Sequence, residues 1–196
     1  TGQPNLERWE RVVAVLKNPE QRVKIAMVGK YTDLTESYKS LNEALAHAGI
    51  AHGAAVEIEY VDSDKLEGSA LDAITKVDGI LVPHGFGGRG AEGKIQAIQY
   101  AREHEIPYFG ICYGLQMAVI EAARNLAGLA GANSTEVDPK TPYPVIDFMP
   151  GQSTRSATGG SMRLGAYPCK VVPDTIAARA YGRSEVSERH RHRYEV

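Results

Sequence analysis

Two periods of apolar residues alternate along the first part of the chain. Val23 to Val28 is an apolar run ending at Gly29. Ala55 to Val61 alternates apolar and polar, and Gly79-Ile80-Leu81-Val82 is a short apolar block; each reads as a strand. Between them the period lengthens. Ser37 to Ala48 places Tyr38, Leu41, Leu45 and Ala48 on one helical side, with Gly49 as its stop. Ala70 to Lys76 predicts a short helix and Ala91 to Glu103 a longer one. Ahead of the first strand, Leu6, Trp9, Val13 and Leu16 fall on one face of a helix that Asn18-Pro19 ends. Strands alternating with helices across short links predict a doubly wound, mostly parallel α/β sheet with helices on both faces. In such sheets chemistry collects outside the carboxyl ends of the strands.

The same switch of period recurs between Ile106 and Leu126, and here it carries a thiol. Tyr108-Phe109-Gly110-Ile111 is strand-like, and Cys112 stands between Gly110 and Gly114. Leu115, Ala118, Val119, Ala122, Ala123 and Leu126 then repeat as the expected buried face of a helix. Strand, sharp turn and helix around Gly-x-Cys-x-Gly is the cysteine form of a nucleophile elbow, whose glycines admit a strained, close-packed backbone. A cysteine at the first turn of a helix is also expected to favour its thiolate. Cys169, in strand-like sequence, is expected to be shielded and inert.

The second half is less regular. Asn133 to Pro150 is rich in turn residues around a short apolar piece, Val145 to Met149. Ser153 to Gly160 is polar and expected to be mobile. Met162 to Val172 reads as strand or hairpin, Asp174 to Ala180 as a short helix, and Arg189 to Val196 as a last strand.

Composition narrows the function without choosing it. A chain of 196 residues with formal net charge −2 has room for a core and no electrostatic bias toward nucleic acid or an acidic membrane. Two cysteines are too few for a disulfide framework, which points to a reducing, cytoplasmic setting. Glu121 and Arg124 interrupt the longest apolar stretch, so no membrane span is expected. The opening at Thr1 and the stop at Val196 inside strand-like sequence suggest a piece of something longer.

Three further groups could bear on the thiol. Pro83 to Gly90 holds four glycines. It lacks the ending of a phosphate-binding P-loop, as does Gly29-Lys30, and it also lacks the spacing of a dinucleotide fingerprint. An oxyanion hole suits it better, with the N–H of Tyr113 as the second donor; the plain alternative is a structural turn. Arg189-His190-Arg191-His192-Arg193-Tyr194 would, if extended, point arginines one way and histidines with Tyr194 the other. An arginine clamp on a substrate carboxylate fits this run better than a metal site or a nucleic-acid patch, and a solvated edge strand is its bland alternative. His47, His52 and His104 read as surface or packing residues, while His84 adjoins the glycine loop.

The blocks PYFGICYGLQMAVIE, LVPHGFGGRGAEGK, GANSTEVDPKTPYPVIDFMP, GGSMRLGAYPC and ERHRHRYEV together resemble the class I glutamine amidotransferase domain of the CTP synthases. LKNP followed by KIAMVGKYTDLTESYKSLNEAL resembles the segment leading into it. The resemblance implies a flavodoxin-like amidotransferase fold, with residues 1–22 as interdomain linker and helix and 23–196 as the amidotransferase domain, incomplete at its C-terminus. It implies Cys112 as nucleophile, Gly85 and Tyr113 as oxyanion N–H donors, and a glutamine site formed by Gly85, Phe86, Tyr113, Gly114, Leu115, Gln116, Glu136, Arg193 and Tyr194. Glu136 would take the amino group of L-glutamine and Arg193 its carboxylate. No cofactor is implied in this domain. The parent enzyme, expected to be a homo-oligomer, would use ATP and Mg²⁺ in a separate synthase domain, with GTP as activator.

Three departures from that pattern shape the expectation. The synthase domain is not within these residues. The family's catalytic His and Glu lie in a His-Pro-Glu segment downstream of RHRHRYEV, which this sequence does not contain. His84 stands where the family has glycine, a strained place for it if the position needs positive φ. The alternatives are therefore a non-hydrolysing glutamine-binding or regulatory module, and a different cysteine-elbow hydrolase on a similar sheet.

Overall fold

In the computed structural model, which describes residues 4–30, 35–66, 70–152 and 162–196, the first four expected strands form one parallel sheet. They are β1 (Gln21–Gly29), β2 (Ala54–Asp62), β3 (Gly79–Val82) and β4 (Tyr108–Gly110), in the order β2-β1-β3-β4. Helices α2 (Lys39–Ala51), α3 (Ala91–Glu103) and α4 (Tyr113–Asn125) complete the layers, after α1 (Glu7–Lys17). Alternation along the strands divides the core. Met27 and Leu81 pack with Tyr38, Leu41 and Leu45 under α2, together with Ile25, Ile58 and Tyr60. Ala26, Val28, Ile80 and Val82 are also buried and point to the other face, where the backbone of Gly114 in α4 lies against Val82. The chain moves outward from β1 in both directions, so right-handed crossovers put α2 and the α3–α4 pair on opposite faces. Strand order reverses between β1 and β3. A small pocket lies there beyond the strand ends, lined by Lys30, Tyr38, Lys94 and His84 to Phe86 of the glycine loop.

Several local expectations shift. Helix α2 runs past Gly49 to Ala51, because Gly49 is needed for packing: a Cβ there would lie 2.5 Å from the Ala54 carbonyl oxygen. Ala70–Ile74 is a 3-10 turn rather than an α-helix. In α4 the buried side is Tyr113, Gly114, Gln116, Met117, Ile120, Glu121 and Ala123, whereas Leu115 and Leu126 are exposed. Glu121 can sit inside because Arg102 on α3 grips it with bonds of 2.8, 3.0 and 3.3 Å and Asn125 adds a fourth. The face of α1 that carries Leu6, Trp9, Val13 and Leu16 is exposed.

Two compact units emerge, Thr1–Val145 and Ile146–Val196. The first also holds β5 (Ala132–Ser134). In the second, β7 (Arg163–Lys170) and β8 (Glu185–His192) form an antiparallel hairpin, with α5 (Ile176–Tyr181) between them in sequence. β9 (Tyr194–Glu195) pairs with the end of β6 (Tyr143–Phe148), so the single strand expected over Arg189 to Val196 is broken at Arg193. Up to His192 the expected alternation is present, with Arg189 and Arg191 exposed and His190 and His192 half-buried. Cys169 is exposed, against expectation, because β7 is paired along its edge while its own face is left open there. Ser153 to Gly160, expected to be mobile, lies outside the described residues. No helix of the described residues is long and apolar enough to cross a membrane.

Candidate active site

Cys112 occupies the turn between β4 and α4 with φ 54° and ψ −102°. A non-glycine residue at such angles stores strain of about 1–3 kcal/mol, and the surroundings enforce it. The Ile111 N–H donates to the Val82 carbonyl at 3.0 Å, tying the turn to β3, and the Gly114 N–H donates to the Ile111 carbonyl at 3.0 Å. Neither flanking glycine can carry a side chain. A Cβ on Gly110 would lie 2.6 Å from the Gly114 carbonyl carbon and the Tyr108 hydroxyl, and one on Gly114 would lie 2.2 Å from the Val82 oxygen. Tyr108 completes the clasp, donating to the Gly114 carbonyl at 2.7 Å.

The thiol itself is half-buried. Burial pushes its pKa up, a hydrogen bond from the Tyr113 N–H pulls it down, and the Glu136 carboxylate pushes it up again, leaving it above the ordinary value. The helix N-terminus therefore does not deliver the depressed thiol expected from the sequence, because desolvation outweighs it.

The glycine loop comes to the thiol through Tyr113. Its ring is buried, its Cδ1 lies 3.6 Å from the place a Gly85 Cβ would take, and its hydroxyl donates to the Gly87 carbonyl at 2.6 Å. Burial also raises the Tyr113 hydroxyl pKa, which keeps it a donor. The Gly87 N–H donates to Glu136 Oε1 at 3.1 Å. The Lys30 ammonium donates to the Phe86 carbonyl and lies 5.6 Å from the centre of the exposed Phe86 ring. His84 is not in the left-handed region, since the positive-φ residues of the loop are Gly87 and Gly90. The strain considered for it does not arise; its ring meets Tyr38 edge-on at 6.2 Å.

One structural unit thus brings together Cys112, Gly85, Phe86, Tyr113, Gly114, Gln116 and Glu136. Gln116 is buried, and its N–H closes the first turn of α4 on the Cys112 carbonyl at 3.2 Å. Leu115 points to solvent. Arg193 and Tyr194 belong to the second unit, where the Arg193 carbonyl accepts from the Met149 N–H at 3.0 Å and Tyr194 packs on Phe148 with centroids 4.4 Å apart.

Sequence reasoning missed Lys30 and Lys94. Lys94, only 2 % exposed, donates to Ser63 Oγ at 2.8 Å and to the Gly90 carbonyl at 3.2 Å, and its ammonium lies 5.8 Å from the Tyr113 ring centre. Burial and the Lys30 charge depress its pKa to about 8. The only signal was Gly29-Lys30 standing at a strand end, set aside because it fails the P-loop pattern.

Comparison with known proteins agrees with this geometry. The class-I glutamine amidotransferase family model matches residues 33–196. A CTP synthase of Thermus thermophilus is 60% identical over 194 residues, 98% of this chain and 35% of its own length. One of Syntrophus aciditrophicus is 56% identical over 196 residues, 100% of this chain and 36% of its own. The glutaminase domain of Trypanosoma brucei CTPS, solved with bound acivicin, superposes with a TM-score of 0.81 at 42% identity, over 89% of this chain and 68% of that one. The chain spans about 35% of the length of the curated relatives it matches. With a cysteine held in a strained elbow and a family match over most of its length, the chain belongs to the class-I glutamine amidotransferases, among the glutaminase domains of the CTP synthases.

Proposed function

We propose that Cys112 hydrolyses L-glutamine. The sulfur attacks the side-chain amide carbon, the resulting tetrahedral oxyanion collapses with loss of ammonia, and water then releases glutamate from the γ-glutamyl thioester. Gly85 and Tyr113 N–H groups hold the oxyanion. The Tyr113 N–H already serves the sulfur, so the donor follows the charge as it passes from sulfur to oxygen. Glu136 takes the substrate amino group, and Gln116, Phe86 and Gly114 line the site. In the whole protein the ammonia passes to a synthase domain that aminates UTP to CTP with ATP and Mg²⁺, stimulated by GTP, in a homo-oligomer. The names of the relatives and the share of their length matched here support a synthase domain elsewhere in the whole protein.

The observation that carries the proposal is the positive φ of Cys112 between two glycines that tolerate no Cβ. A chloroketone analogue of glutamine tests it. The reagent is expected to alkylate Cys112 with saturation and with protection by glutamine, and to spare the exposed Cys169. Equal, unsaturable labelling of both cysteines would overturn it. A glutamine-binding module without turnover is the second reading, favoured by the raised pKa of the resting thiol.

A further inference from the structure

One peptide unit of the glycine loop is held at both ends by side chains from different parts of the fold. The Phe86 carbonyl accepts from Lys30, just beyond β1, and the Gly87 N–H of the same unit donates to Glu136 Oε1 at 3.1 Å. In a trans peptide the carbonyl and N–H point opposite ways, so the two side chains grip the unit from opposite sides. Without such a grip the unit has two accessible orientations. Gly87 sits at φ 72°, and a half-turn of the preceding peptide moves such a turn residue between positive and negative φ, both open to glycine. The Tyr113 hydroxyl holds the next carbonyl along, that of Gly87, and so does not replace this grip.

We propose that Lys30 is a positioning residue for the thiol chemistry: it anchors the Phe86–Gly87 peptide, two units along from the one that carries the Gly85 N–H, and so fixes the loop segment that sets Gly85 against Tyr113 with its N–H toward the oxyanion. The inference rests on the glutamine reading of the site. In that reading Glu136 cannot be the lasting anchor, because the substrate's amino group competes with the Gly87 N–H for its carboxylate. Lys30 touches the loop from the other side of the peptide and keeps its hold while substrate is bound. Its ammonium is retained there against desolvation and the nearby Arg89 charge, both of which lower its pKa, with Asp64 and Glu136 opposing them. Lys30 therefore acts through the loop and not as a catalytic residue.

Two electrophiles separate this role from its rivals when alkylation is read at the Cys112 peptide by mass spectrometry. A glutamine-like chloroketone reacts through a charged oxygen: thiolate adds to the ketone, the sulfur ends bonded to the neighbouring CH₂, and chloride leaves. Iodoacetamide reacts by direct displacement of iodide and develops no oxyanion. In Lys30→Met the saturating rate with the chloroketone is expected to fall about tenfold, a fraction of what losing an oxyanion donor costs. The half-saturating concentration and the iodoacetamide rate should stay at wild-type values, and Lys30→Arg should recover most of the loss. Equal slowing with both reagents would overturn the proposal, since Lys30 would then act on the thiol. So would an unchanged chloroketone rate, or a change confined to half-saturation. A wild-type protein that iodoacetamide alkylates at Cys112 but the chloroketone does not saturate would overturn the glutamine reading itself, and this inference with it.

Discussion

Cys112 is held by strain and raised in pKa at once, and the two effects make separate predictions. Strain positions the sulfur; burial and Glu136 oppose its ionisation. Iodoacetamide alkylation of Cys112 should therefore keep rising with pH beyond the midpoint of an ordinary thiol, about 8.5. Glu136→Gln removes a negative charge that favours the neutral thiol, so the same profile should move to lower pH; a move to higher pH would contradict the assignment. Lys94 makes the second prediction at this scale. Its folded pKa of about 8 lies below the unfolded value, so between these values the unfolded chain binds more protons and stability rises with pH. Relative to Lys94→Met, urea denaturation should show wild type gaining stability from pH 8 to 9.5, toward a limit of about 3 kcal/mol. Asp62, Asp64, Lys30 and Arg89 face the same ammonium, and the variant comparison cancels their own titration to first order. A flat difference would show that Lys94 is not depressed.

The elbow is a property of β4 and α4 acting together, and its glycines differ in what they permit. Gly114→Ala drives a Cβ into the Val82 carbonyl, backbone against backbone, where neither helix nor strand can yield cheaply. It should cost about 3 kcal/mol and abolish Cys112 labelling. Gly85→Ala places its Cβ at ordinary contact distance from Tyr113, so it should leave stability within about 1 kcal/mol of wild type. Thermal denaturation of the two variants checks the order. Element type was legible in α4, but the buried face was not. Periodicity counted Leu115 and Leu126 as core and left Glu121 out of the buried face; the bidentate bond from Arg102 takes Glu121 inside, and a sequence does not display that partner. The α2 stop at Gly49 failed for a similar reason, because a packing glycine and a stop glycine look alike in sequence.

At the scale of the molecule, the parallel sheet was readable because strand-like apolar runs alternate with stretches of helical period along the chain. The second unit was less so. The hairpin β7–β8 has an open face, which left Cys169 exposed where a strand had suggested shelter, and the break at Arg193 separates two pairings that one extended run would merge. Chemistry divides similarly. Nucleophile, glycine loop and Glu136 are brought together in the first unit, whereas no proton acceptor for Cys112 was identified from sequence. The resemblance implies that this acceptor lies in a His-Pro-Glu segment absent from these 196 residues. If that is where it lies, a polypeptide of these residues alone should react with a chloroketone at Cys112 yet release ammonia from glutamine near the background rate, lacking general acid–base catalysis worth about 10²–10⁴-fold. Extension through that segment should restore turnover, and His84→Gly should add little, since His84 bears no backbone strain. Ammonia release by the 196-residue chain at enzymic rates, lost in Cys112→Ala, would place the base within it. His190 and His192, whose Nδ1 atoms lie 3.3 Å apart in β8, would then be the residues to replace.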